Sequence, residues 1–158
     1  MEPIAVIDFE TTGMSPGSNC RATEIAAVIV QDGKIVARYQ SLMNSGAWVP
    51  PFIENLTGIS NQMLRSAPSS TQVMHEVADF VGAIPLVAHN ASFDQKFWDS
   101  ELALVRRTRN QHFACSMLLA RRLLPQAPTS SAHSTTRPAY PTLARLTALW
   151  LMPKWRLT

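Results

Sequence analysis

The sequence predicts a mixed α/β sheet flanked by helices, and three observations lead there. A short β-branched apolar run at Ile4–Ile7 reads as a buried strand. Two strand-like stretches, Glu24 to Gln31 and Lys34 to Leu42, flank Asp32-Gly33, one of the strongest short hairpin signals. Beyond them, helical and strand patterns alternate, which is the grammar of a sheet with helices packed on it.

Each element follows from local chemistry. The first strand runs over about residues 4–10 and is closed by Thr-Thr-Gly and then Ser-Pro-Gly-Ser-Asn. Pro50-Pro51 breaks the chain after the hairpin. Ser69 to Val81 has helical spacing in Val73, Val77, Phe80 and Val81, with a serine at its start. Ile84 to Ala88 reads as a second buried strand, and His89-Asn90 opens a helix from about Ser92 to Val105 with Phe93, Phe97 and Leu104 on its apolar side. A short strand near Phe113 and a helix from Ser116 to Leu124 complete the regular part. The expected organisation is one domain over residues 1–125 and an atypical basic, Ser/Thr/Pro-rich tail over 126–158.

With 158 residues, 46% hydrophobic and 16% charged, the chain can bury a core. Its longest uninterrupted apolar run, Ile25 to Val30, falls far below the roughly 20 residues of a membrane helix, so no membrane partner is expected. The acidic start, Met-Glu-Pro-Ile-Ala-Val-Ile-Asp, is unlike a signal peptide. Cys20 and Cys115 form neither a disulfide scaffold nor a CxxC pair, and a cytoplasmic location fits best. The net charge of +3 hides an asymmetry. Residues 1–101 hold all 11 acids and five basic residues, and residues 102–158 hold nine basic residues and no acid. Such a split suits a phosphate-binding surface beside a metal site.

Asp8 and Glu10 are the first chemical signal. Two residues apart on a strand, they project from one face about 6.5–7 Å apart along the chain. Two like charges at the end of a buried strand are costly, so either cations neutralise them or one takes up a proton. Mg²⁺, bound through a few carboxylates plus a substrate phosphate, is the economical answer, against the alternative that both acids face solvent. Asp94 is the second signal, since Leu86 to Asp94 runs off a strand and sets a carboxylate in the first turn of a helix. An acid there also suits the helix dipole, so a purely structural role is open on this residue alone. Gly13-Met14-Ser15-Pro16-Gly17 satisfies G-x-S-x-G but is followed by loop residues, so it reads as a surface turn. Arg106, Arg107 and Arg109 are equally readable as phosphate contacts or as a solvated helix end.

Together these segments resemble the DEDD 3′→5′ exonucleases. Asp8-Phe9-Glu10-Thr11-Thr12-Gly13 is similar to the first motif, and His89-Asn90-Ala91-Ser92-Phe93-Asp94 to the second. Thr23 to Val28 with Asp32-Gly33, then Leu56-Thr57-Gly58-Ile59, then Cys115 to Leu123 resemble intervening and following segments in the right order, over about residues 1–128. The resemblance is closest to the proofreading epsilon-subunit and exodeoxyribonuclease X types. It implies a ribonuclease H-like sheet and a site in which Asp8, Glu10 and Asp94 hold two Mg²⁺ or Mn²⁺ ions. Thr11, Thr12 and Phe93 would border the terminal nucleotide. The implied reaction is hydrolysis of the terminal phosphodiester of single-stranded DNA 3′ ends to 5′-mononucleotides, with a DNA polymerase as a further partner. The alternative is a non-catalytic nucleic-acid or polymerase-binding module on the same fold.

One departure stands out. The family's third motif, His-x-Ala-x-x-Asp, supplies a general base and a fourth carboxylate, and nothing of that form follows Asp94 here. His112 and His133 have no acid five residues on. Thr129 to Thr158 contains no Asp, Glu, Asn, Gln or Gly, and no apolar period runs through Thr129 to Thr142. Back-translated one nucleotide earlier, Leu146 to Arg156 has allowed codons that spell His-Arg-Ala-Leu-Ala-Asp-Ala-Glu-Met-Ala. That string contains the missing motif, its histidine in register with Thr147 and its aspartate with Met152. The tail is therefore expected to be out of frame, and the chain as it stands to be a poor nuclease.

Overall fold

The computed structural model describes residues 2–123. The tail assigned to 126–158, His133 and the Thr147 register all lie outside the described residues. Five strands form one sheet in the order β3-β2-β1-β4-β5. They are β1 (Ile4–Thr11), β2 (Ala22–Gln31), β3 (Lys34–Leu42), β4 (Leu86–Ala88) and β5 (Phe113–Cys115). β1 is central, antiparallel to β2 and parallel to β4, so the sheet is mixed as expected.

The hairpin forms because Asp32 and Gly33 both take positive φ, 51° and 74°, the pair a tight primed turn requires. Its register sets Glu10 opposite Glu24, and Glu24 opposite Leu42. The chain therefore leaves β3 at the same end of the sheet where β1 carries its acids. β2 is buried on both faces from Ala22 to Val28, which explains its unbroken apolar run.

Five helices accompany the sheet: α1 (Pro51–Thr57), α2 (Asn61–Arg65), α3 (Ser70–Val81), α4 (Ala91–Leu104) and α5 (Ser116–Leu123). Ser69 caps α3, its Oγ accepting the Gln72 N–H at 3.2 Å. The main core joins Ala5, Ile7 and Phe9 of β1 to Val73, Met74 and Val77 of α3 and to Phe97, Trp98 and Leu102 of α4.

Three readings need correction. Pro50-Pro51 starts a helix: Pro51 occupies the first helical position, where its missing N–H costs nothing, and α1 ends at Gly58 with φ 75°. α2 follows, capped by Ser60, whose Oγ accepts the Met63 N–H at 3.1 Å. Val49, Ile59 and Leu64, with Leu42 and Ile53, make a small second core that holds this segment against the end of β3. On α4, Leu104 is exposed rather than apolar-side. The buried stripe is Asp94, Phe97, Trp98, Glu101 and Leu102, a regular i, i+3, i+4, i+7, i+8 pattern in which two positions are carboxylates. Counting only apolar residues rotates such a helix wrongly. Lastly, Arg107 and Arg109 are tied down, Arg107 to Asp79 and Arg109 to Asp99, each at 2.8 Å.

Because Phe97 is fully buried in the main core and stacks on Phe93 with centroids 5.0 Å apart, Phe97→Ala should cost about 3–5 kcal/mol of stability. Urea unfolding followed by circular dichroism should show this as a lower midpoint at unchanged slope.

Candidate active site at the end of the central strand

Where α4 docks on the sheet, Asp94 is brought to the end of β1 that carries Asp8 and Glu10. Along β1 the core-facing residues Ala5, Ile7, Phe9 and Thr11 alternate with half-buried Asp8 and Glu10, which share the other face. Asp94, from the first turn of α4, reaches β1 from the core side. Its Oδ1 accepts the Phe9 N–H at 3.0 Å, so a bond spanning 85 residues of sequence joins the second acidic segment to the first. Asn90 makes the approach possible: it takes a left-handed conformation, φ 66° and ψ 51°, between β4 and the first residue of α4.

Asp94 is 2% exposed. Burial pushes its carboxyl up from the ordinary 3.8 to about 8, with repulsion from Asp8 and, less strongly, Glu10 adding to it. The Phe9 N–H and the first helical turn pull the other way and are outweighed. Burial and the neighbouring acids thus push Asp94 toward its protonated form.

The donor set fits a hard divalent cation, which prefers carboxylate oxygens and would relieve the same repulsion. Among the described residues no three His, Cys, Asp or Glu side chains already stand as a metal-holding group. Asp94 is turned to the strand backbone through the Phe9 N–H, and Asp8 and Glu10 share one face of β1.

The other predicted residues surround this point. Thr11 and Thr12 end β1 with both side chains buried. Thr11 Oγ1 donates to Gly13 O at 2.7 Å, and Thr12 Oγ1 accepts the Arg21 N–H at 3.0 Å. Their hydroxyls thus hold the loop after β1. Phe93 is half-buried beside Asp94 on the first turn of α4. His89 Nδ1 lies 3.2 Å from Ser116 Oγ, which donates to Ala88 O. Gly13 to Gly17 forms bends and a short 3-10 turn, the surface loop the sequence suggested.

Two features escaped the sequence. Glu24, buried and opposite Glu10, accepts a bond from Gln40 Nε2 at 2.8 Å. Glu101, 2% exposed, is paired with Arg21 at 2.8 Å. For Glu101 the i+7 spacing from Asp94 was the available signal.

The raised Asp94 pKa has a stability consequence. The folded chain keeps a proton that the unfolded chain releases near pH 4, so from about pH 4 to about 8 folding binds a proton and stability falls as pH rises. In EDTA-treated protein the melting temperature should drop across this window, and Asp94→Asn, which retains an acceptor for Phe9, should flatten the drop. Parallel pH profiles of the two proteins would contradict the assignment.

Comparisons with known proteins give the family and the fold. A family model described as "Exonuclease" matches residues 5–145. The 3′-5′ exonuclease DinG of Bacillus subtilis is 42% identical over 97 residues, 61% of this chain and 10% of that protein. A putative bifunctional exonuclease/endonuclease protein of Mycobacterium tuberculosis is 35% identical over 157 residues, 96% of this chain and 23% of that protein. The PolC-type DNA polymerase III of Staphylococcus saprophyticus is 42% identical over 95 residues, 60% of this chain and 6% of that protein. The chain thus spans only a small part of these relatives. Among solved structures, exonuclease X in complex with 5′ overhanging duplex DNA superposes with a TM-score of 0.63 at 30% identity, covering 80% of this chain and 68% of that one. Exonuclease I, at 14% identity and a TM-score of 0.69, shares the fold. The mixed sheet is therefore the ribonuclease H-like one, and the chain belongs to the DEDD exonuclease family.

Proposed function

We propose that this domain is a metal-dependent 3′→5′ exonuclease that hydrolyses the terminal phosphodiester of single-stranded DNA to release 5′-mononucleotides. The observation that carries the reading is that Asp94, held by the Phe9 N–H at 3.0 Å, is brought to the end of the central strand that carries Asp8 and Glu10. Asp8, Glu10 and Asp94 would hold Mg²⁺ or Mn²⁺, which when bound supplies Lewis-acid stabilisation of the phosphoryl oxygens and activates water. The chain's own part is to orient. The Phe9 N–H fixes Asp94, the Thr12–Arg21 bonds fix the loop after β1, and Phe93 and that loop border the 3′-terminal nucleotide.

An unpaired strand is the substrate class that the neighbouring surface favours. α1 leaves the sheet at the acidic end and exposes Phe52 and Leu56 one turn apart, with Trp48 just ahead of it, at 72%, 63% and 65% exposure. Exposed aromatic rings on a packed segment suit stacking with unpaired bases. The names of the relatives support replication or repair, and those of the PolC type support a polymerase partner; a cytoplasmic location is part of the same proposal.

The general base and fourth carboxylate are the missing pieces. We place them in the alternative reading frame, with histidine in register with Thr147 and aspartate with Met152. The family match ends at residue 145, just before that register. The Mycobacterium tuberculosis alignment covers 96% of the chain and therefore reaches into the tail read as out of frame. Nucleotide sequencing of codons 125–158 decides the point. A reading frame unable to encode the histidine and aspartate would favour the non-catalytic nucleic-acid or polymerase-binding module.

Release of mononucleotides from a 3′-labelled oligonucleotide should require Mn²⁺ or Mg²⁺, stop with EDTA and fall at least about a hundredfold in Asp8→Ala, since a metal ion supplies several kcal/mol of transition-state stabilisation. Restoring the frame should raise activity by about 10²–10⁴-fold, the worth of a general base. Separately, Trp48→Ala with Phe52→Ala should weaken oligothymidylate binding in EDTA by about tenfold or more, as stacking contributes about 1–3 kcal/mol per base. Fluorescence anisotropy at fixed salt measures this.

A further inference from the structure

Helix α4 meets the sheet through two buried carboxylates, Asp94 and Glu101, seven residues apart on one face. Each accepts a backbone N–H from a different strand. Asp94 takes that of Phe9 on β1 at 3.0 Å, and Glu101 Oε1 takes that of Ala22 on β2 at 3.1 Å. Arg21 closes on Glu101 with two prongs, Nε to Oε1 at 2.8 Å and Nη2 to Oε2 at 2.9 Å. The same guanidinium donates to Ser70 Oγ at the start of α3 at 3.2 Å and to Ser45 O at 3.5 Å. Through its backbone Arg21 donates to Thr12 Oγ1 and accepts the Thr12 N–H at 2.9 Å. One residue thus fastens the strand carrying Asp8 and Glu10, the neighbouring strand, and the helix carrying Asp94.

Stability alone does not account for this arrangement, because a buried ion pair is often matched by well-packed apolar side chains of similar volume. What an apolar pair cannot supply is a fixed register, since hydrophobic contact is non-directional and a two-pronged charged bond is not. Asp94 and Glu101 lie about 10 Å apart along a continuous helix, so fixing one end fixes the other.

We propose that Arg21 and Glu101 are positioning residues for the acidic site: their pair sets α4 on the sheet and thereby where the Asp94 carboxylate stands relative to Asp8 and Glu10. The positioning is a property of the metal-free chain. Its consequence for a cation rests on the reading of the three acids given above.

The test uses the full chain with Glu101→Gln and Arg21→Met, and Arg21→Lys, which keeps the charge but not the fork, should Arg21→Met fail to fold. Val77→Ala, a core change in α3 that removes no polar group, is the control for general destabilisation. Hydrogen exchange by NMR in EDTA reads the Phe9 amide against that of Ala27 in β2. In the pair variants Phe9 should exchange at least about tenfold faster relative to Ala27, whereas in Val77→Ala the two should accelerate together. Mn²⁺ titration should show roughly 10–100-fold weaker binding in the pair variants, the usual effect of losing a residue that orients a ligand, and unchanged affinity in the control. Phe9 and Ala27 accelerating together in the pair variants would overturn the proposal, as would unaltered Mn²⁺ affinity beside a wild type that binds. A wild type that takes up no Mn²⁺ while Phe9 still responds would leave the positioning intact and sink the cation reading instead.

Discussion

The bond from the Phe9 N–H to the Asp94 carboxylate is the constraint around which this domain is arranged. It is made in the interior, between a central strand and the first turn of a helix, and it brings together two segments 85 residues apart. A carboxylate in such a place has lost most of its water, and Asp8 and Glu10 stand close enough to repel it. The site is therefore under electrostatic load before any ligand arrives, and that load pushes the Asp94 carboxyl toward its protonated form. A cation that brings its own positive charge relieves the same load, so the feature that weakens the fold at neutral pH is the one that would bind metal.

The second buried acid of α4 shows the other solution to the same cost. Glu101 is as deeply buried as Asp94 but is given a guanidinium, a backbone N–H and a fixed geometry. Asp94 receives only backbone N–H groups and has two carboxylate neighbours. Paired and clustered acids on one helix face divide the labour, one holding the helix in place and the other leaving charge to be satisfied from outside.

The rim of the site follows from the way the chain leaves β3. The hairpin register delivers residue 43 onward to the acidic end of the sheet, and the small core of Val49, Ile59 and Leu64 anchors α1 there. With Ile53 facing that core, Phe52 and Leu56 are turned outward. The rings are exposed on a segment that is itself packed, a combination that suits recognition better than loose apolar surface does.

By itself the sequence determined what depends on near neighbours. The Asp32-Gly33 turn, the two-residue spacing of Asp8 and Glu10, and the strand-to-helix passage into Asp94 are local, because turn chemistry and strand period act over a few residues. Their order along the chain was enough to indicate the family and the fold. The helix α1 was hidden behind Pro50-Pro51, which reads as a break unless the proline falls on the first helical position. The facing of α4 was hidden because two positions of its buried stripe are acids, which an apolar count treats as solvent-exposed. Only the tertiary structure decided that Glu101 is satisfied by Arg21, 80 residues away, while Asp94 forms no ion pair among the described residues. Burial and partner choice are sums over contacts distant in sequence, and those sums decide which acid is structural and which is left for chemistry.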